Sequence, residues 1–297
     1  MSGRVTVRPV FYDGFACKAQ FCRHSCCRGW EIDVDEDTAA LYETLPGPLG
    51  EELRAALGSG DGERCFRLRA DGRCPFLRDN GLCRVILTYG EDALCDICAL
   101  HPRFFEEFGG FTLAGLGLSC ERSCELLLAG EGPLRFLVED EARALTLPEL
   151  LRRMGYAPGE ITPFSGALDR EGCARMLALY ARTEAIDEDW PRELAALRER
   201  LSELDGRHLP ERLDRYERIY HYILYRQLDR LDGYSLRALC AFAALGAHFV
   251  LLQDLLYGVD AEHLRRWSEQ IEYSTENPEI ILRALSGGET KKGEESL

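Results

Sequence analysis

The sequence predicts a mainly α protein in three parts. These are an irregular cysteine-rich metal-binding module with a short hairpin over residues 1–130, an α-helical domain over 131–285, and a disordered tail over 286–297. Two observations carry this division. Eleven of the thirteen cysteines lie within the first 124 residues, in segments broken by glycine and short apolar runs. Beyond residue 130 helical spacing of apolar residues takes over, and only Cys173 and Cys240 remain.

In chain order, Asp35-Glu-Asp-Thr-Ala-Ala-Leu-Tyr42 reads as a helix start, with acids in the turn where the helix dipole favours them. The wider acidic run Glu31, Asp33, Asp35, Glu36 and Asp37 would also draw a basic substrate, although capping and solvation account for it. Cys74-Pro-Phe-Leu-Arg-Asp-Asn-Gly-Leu-Cys83 reads as a hairpin turning at Asn80-Gly81. Ser119 caps a helix carrying Cys120 to Ala129, which Gly130 ends. Gly130-Glu-Gly-Pro133 serves as the joint between the two halves.

Past that joint, Thr146 caps a helix with Pro148 in its first turn, stopping at Gly155. Asp189 with Pro191 starts another. Leu213, Tyr216, Ile219, Tyr220, Ile223 and Leu224 follow the spacing of an amphipathic helix. The most apolar stretch, Ala238–Gln253, falls short of the roughly 20 residues that cross a bilayer and reads as a buried core helix.

Composition narrows the function. A hydrophobic fraction of 46% suits a folded chain with a core. The net charge of −15, with lysine only at positions 18, 291 and 292, gives no electrostatic footprint for nucleic acid. It suits basic partners, including exposed lysines of another protein. The first residues lack the apolar core of a secretory signal and no membrane span is expected, so the reading is cytoplasmic. Thiols stay reduced there and cluster for metal rather than for disulfides, and thirteen is an odd number to pair.

The thiols fall into local groups. Cys22-x3-Cys26-Cys27 is a triplet whose adjacent members point in different directions. A strict two-residue turn would hold Cys74 and Cys83 about 13 Å apart at roughly 3.3 Å per residue, so the loop must bend if both ligate one metal. Cys95-Asp-Ile-Cys98, with His101 three residues on, sets potential ligands at i, i+3 and i+6. Cys120 and Cys124 lie one turn apart. Two zinc ions or one iron–sulfur cluster fit the count equally well, and the spacing is neither that of zinc ribbons nor that of bacterial ferredoxins.

Several motifs in order resemble the flagellin lysine-N-methylase family: Cys17-x4-Cys22-x3-Cys26-Cys27-Arg-Gly-Trp30, Cys74-Pro-Phe-Leu with Gly81-Leu-Cys83, Gly90-Glu with Cys98-x2-His-Pro-Arg103, and Leu118-Ser-Cys120. The first two elements also resemble small cysteine-rich proteins described as zinc- or iron-chelating. The family likeness implies Cys17, Cys22, Cys26, Cys27, Cys74, Cys83, Cys98 and Cys120 as the pattern thiols. Cys22, Cys26, Cys74 and Cys98 are the expected set for a [4Fe–4S] cluster, with Cys65, Cys95, Cys124, Cys173 and Cys240 outside the pattern. His101 stands where the family pattern has tyrosine. The likeness further implies methyl transfer from S-adenosylmethionine to lysines of flagellin.

The residues themselves display no methyl-donor site. Gly109-Gly110 with Gly115-Leu-Gly117 lacks the strand–turn–helix setting of a nucleotide loop. Tyr216, Tyr220, Tyr222 and Tyr225 either line an amine pocket or fill the core. Two other readings stay open beside the enzyme: a non-catalytic zinc- or iron-binding module, and a redox-sensing interaction protein.

Overall fold

The computed structural model describes residues 4–59, 64–157, 161–205 and 212–287. It divides into two compact units, Ala16–Arg103, and Met1–Phe15 together with Phe104–Leu297. The expected boundary near residue 130 instead falls inside the second of these. There the Gly130–Gly132 loop is tied down by Arg212, whose Nη2 donates to the Gly130 carbonyl at 2.9 Å, and by Asp214, which accepts from the Gly132 amide at 3.1 Å.

The architecture is mixed rather than mainly α. Twelve α-helices among the described residues accompany a five-stranded sheet, which the sequence reading did not anticipate. Its strands are β1 (Val5–Pro9), β4 (Arg103–Phe108), β5 (Phe111–Leu116), β6 (Arg135–Val138) and β7 (Leu145–Thr146), in the order β4-β5-β1-β6-β7. The N-terminal strand β1 runs parallel to β5, with Val5 opposite Phe111 and Val7 opposite Leu113, and antiparallel to β6, with Val7 opposite Val138. Gly109 and Gly110, both at positive φ, make the turn between β4 and β5, which settles that pair as an ordinary bend.

Most of the helices expected in the second half form. Helix α5 (Glu121–Ala129) starts at Cys120 rather than Ser119 and ends at Gly130. Helix α6 (Leu147–Arg153) has a capping box from Thr146 and Glu149, and α8 (Asp189–Glu199) begins where Asp189 and Pro191 placed it. The Tyr-rich α9 (Leu213–Arg226) packs against α10 (Leu236–Tyr257). Helix α10 extends to 22 residues, longer than its sequence read. By length and composition it could cross a membrane, yet 72% of its most apolar stretch is buried in the protein. Gly246 on α10 admits the close approach of α9 and α11 (Ala261–Ile271), since an added Cβ would sit 2.6 Å from Trp267 and 2.7 Å from Ile223. The expected disordered tail lies, from residue 288 onward, outside the described residues.

Unit 16–103 has its own core. Helices α1 (Glu36–Thr44), α2 (Gly47–Ala56), α3 (Arg84–Tyr89) and α4 (Asp96–Leu100) and the small β2–β3 hairpin (Leu57–Ser59, Arg64–Phe66) enclose Ile32, Tyr42, Leu53, Phe66, Phe76 and Val85. Asp35 caps α1 as expected, accepting from the Thr38 amide at 2.8 Å, and also accepts from the Asp96 amide at 2.9 Å, tying α1 to α4.

Candidate metal centre

The thiols of unit 16–103 are gathered by three pieces of backbone geometry. First, residues 27–29 pair antiparallel with 72–74: the Cys74 amide donates to the Cys27 carbonyl and the Gly29 amide to the Gly72 carbonyl, both at 2.9 Å. Cys27 and Cys74 thereby become cross-strand neighbours. Second, the 74–83 hairpin is bent, as two ligands would require. A turn at Cys74–Leu77 (3.1 Å) precedes the one at Arg78–Gly81 (2.9 Å), and Leu77 rather than Cys74 pairs with Cys83. Third, Cys83 and Cys95 occupy the N-cap positions of α3 and α4.

Neither N-cap cysteine makes a side-chain capping hydrogen bond. Nearby backbone N–H groups nevertheless exert a lowering influence on the thiol pKa values, those of Phe76 and Leu77 on Cys74, of Ile86 and Val85 on Cys83, and of Cys98 on Cys95. Such influences favour the thiolate, the form that binds metal. Burial opposes them. It pushes Cys74 up to about 11 and raises Cys83 as well.

Cys27 falls to about 7 because Cys26 hydrogen-bonds to its sulfur. Cys95 is lowered by a hydrogen bond from Cys98, which holds its own proton more tightly in consequence and through burial. The charges of Cys27 and Cys74 reach Cys98, and those of Cys27 and Cys95 reach Cys83. Cys27, Cys74, Cys83, Cys95 and Cys98 thus form one electrostatic neighbourhood, and all five pack on the unit's apolar core. Among the described residues no group of three or more His, Cys, Asp or Glu side chains is placed where it could hold a metal ion.

Of the eight pattern thiols, the neighbourhood contains Cys27, Cys74, Cys83 and Cys98. Cys26 is exposed and bonds to Cys27. Thus Cys27 is the member of the adjacent pair that turns inward. Cys17 and Cys22 sit in the preceding segment, on either side of a short 3-10 turn at Ala19–Phe21. Cys120 belongs to the other unit.

Cys95 is the member that the family pattern passes over, and its signal was the Cys-x2-Cys spacing to Cys98. Cys124 is fully buried and donates to the Leu118 carbonyl at 2.9 Å, while Cys173 and Cys240 are core residues of the helical unit. His101 follows α4 and its buried Nε2 has no hydrogen-bond partner, with burial lowering its pKa.

The four tyrosines of α9 resolve as core. Tyr216 donates to Asp254 (2.7 Å), Tyr220 to the Thr162 carbonyl (2.6 Å), and Tyr225 to the Val7 and Ala114 carbonyls (2.8 and 2.9 Å). Tyr222 accepts from the Leu116 amide (2.7 Å) and donates to its carbonyl (2.8 Å). With every hydroxyl committed and every ring buried, none faces an amine pocket.

Comparison with known proteins places the chain. It is 30% identical over 120 residues to the flagellar biosynthetic protein FliU of Salmonella muenchen, a match covering 38% of this chain and 70% of FliU. The chain belongs to the flagellin lysine-N-methylase family. The lysine-N-methylases of Salmonella typhimurium and Salmonella choleraesuis are each 32% identical over 120 residues, again 38% of this chain. That match spans 29% of the methylases' own length. No family model and no solved structure matches the chain.

Proposed function

We propose that this family member is a protein-lysine N-methyltransferase that modifies flagellin with S-adenosylmethionine as donor, and that unit 16–103 holds an iron–sulfur cluster or zinc. The observation that carries the reaction is the likeness to relatives named lysine-N-methylase. The relative named for flagellar biosynthesis supports the substrate. The donor set supports the metal: five neighbouring thiols, three of them near backbone N–H groups that favour the thiolate, suit a soft ion or a cluster. Cys27, Cys74, Cys83, Cys95 and Cys98 are the residues from which ligands are drawn, with Cys26 beside them. This set shares Cys74 and Cys98 with the expected set of Cys22, Cys26, Cys74 and Cys98.

S-adenosylmethionine supplies an electrophilic methyl group. The protein's part is to hold a lysine Nζ deprotonated, in line with that methyl, and away from water. The tyrosine hydroxyls of α9 are excluded from this task by their core bonds. The net charge of −15 suits a lysine-bearing partner.

The test is incubation of anaerobically purified protein with unmethylated flagellin and isotope-labelled donor, with the label mapped by mass spectrometry. Transfer to flagellin lysines is expected, together with iron and sulfide, or zinc, bound to the purified protein. Metal-replete protein that transfers no label to flagellin from its own source would refute the enzymatic reading.

A further inference from the structure

Unit 16–103 exposes large apolar side chains on three of its helices. Leu41 on α1, Ile86 and Leu87 on α3, and Ile97 and Leu100 on α4 are 36–53% exposed. Burying such side chains is the main drive of folding and association, and these five stand on short helices of which α1 and α3 both contact the 91–93 turn. The helices are fixed to one another from behind. Tyr42 Oη donates to the Ala93 carbonyl at 3.0 Å, the Asp35 carboxylate joins α1 to α4, and Cys83, Cys95 and Cys98 pack inward on the core.

The same elements carry the exposed acids Glu36, Asp37, Glu43, Glu91, Asp92 and Asp96. Arg84 is the lone lysine or arginine within 31–44 and 84–100, and Glu52 already holds it at 2.6 Å. None of the six acids has an ion-pair partner among the described residues.

We propose that this face docks an amphipathic, lysine-bearing segment of the protein substrate, a reading that rests on the proposed lysine methylation. Apolar residues of the segment cover the leucines and isoleucines, and its lysines meet the acids. Charge selects this occupant over the others. A second copy of the chain, meeting it across a twofold axis, would bring acid against acid, and an anionic lipid surface would be repelled.

The experiment measures binding, separately from transfer. The full-length protein is titrated with two probes: unmethylated flagellin monomer and a fluorescent synthetic leucine–lysine amphipathic peptide. The variants are Ile97→Ser with Leu100→Ser, and Glu91→Gln with Asp92→Asn. All four positions are solvent-facing, and thermal melts confirm folding. Each double variant should bind the peptide at least tenfold more weakly than the parent, and the charge variant should also flatten the salt dependence.

Parent-like binding by both variants, no peptide binding by the parent, or a dimeric parent made monomeric by the serine variant would each overturn the docking face. Flagellin methylated equally by parent and variants removes the docking face and leaves the enzyme. Variant-sensitive peptide binding without any flagellin methylation does the reverse.

Discussion

Replacing Tyr222 with Phe tests whether the tyrosines of α9 are structural. Its hydroxyl lies in a fully buried position between the Leu116 amide and carbonyl. In the variant the carbonyl keeps the Arg226 Nη1 donor at 3.3 Å, but the Leu116 amide loses its partner. Leaving one buried donor unsatisfied costs about 2 kcal/mol. For a unit of this size, each kcal/mol shifts Tm by about 2–4 °C, so Tyr222→Phe should lower the melting temperature by about 4–8 °C.

The shape of the ring is kept, so the edge contact with Phe11 at 5.1 Å survives and little else should change. Differential scanning calorimetry measures the shift, and metal content and methyl transfer per folded molecule should match the parent. An unchanged Tm combined with lost transfer would refute the reasoning, because the hydroxyl would then be serving chemistry rather than the core.

Other outcomes are expected from separate parts of the molecule. Cys27→Ser or Cys95→Ser should reduce bound metal by more than half, whereas Cys240→Ser, in the helical core, should leave metal content unchanged by elemental analysis. Chelation should raise hydrogen exchange within 16–103 ahead of α9 and α10, since metal-binding free energy is folding free energy where ligands are drawn together from several segments. Gly115→Ala should destabilise the sheet unit, because the new methyl would lie 2.3 Å from the Phe104 ring; thermal melts report it.

Arg143, followed by the Thr146 cap, holds the Glu149 carboxyl down to about 2. Its stabilising effect is therefore complete above the ordinary value of 4.5 and is lost as pH falls through about 2. The Tm difference between parent and Glu149→Gln should close over that window.

Local signals in the sequence were legible where they were sufficient. Asp35, Thr146 with Pro148, and Asp189 with Pro191 each marked a helix start through groups that act within one turn. The sheet was not legible, because β1 finds its parallel partner more than a hundred residues away and nothing within Val5–Pro9 encodes Phe111. Cys95 and Cys98 announced themselves by spacing. The inward turn of Cys27 rather than Cys26 depended on the pairing of 27–29 with 72–74, and such register is a property of the assembled fold. Cys120 lies in the other unit, and sequence proximity hides this passage of the chain from one unit to the other at Phe104.

That passage has a consequence for how the protein is made. Because unit 16–103 is inserted between β1 and the rest of its sheet, β1 leaves the ribosome long before β5 exists. At about 5–20 residues per second, the strand waits on the order of 5–20 s with its edges open. The inserted unit, with its own core, is complete within that interval. On the proposed metal binding, the nascent unit would acquire its metal before the sheet closes, and scarcity of metal during synthesis would act on folding order before it acted on activity.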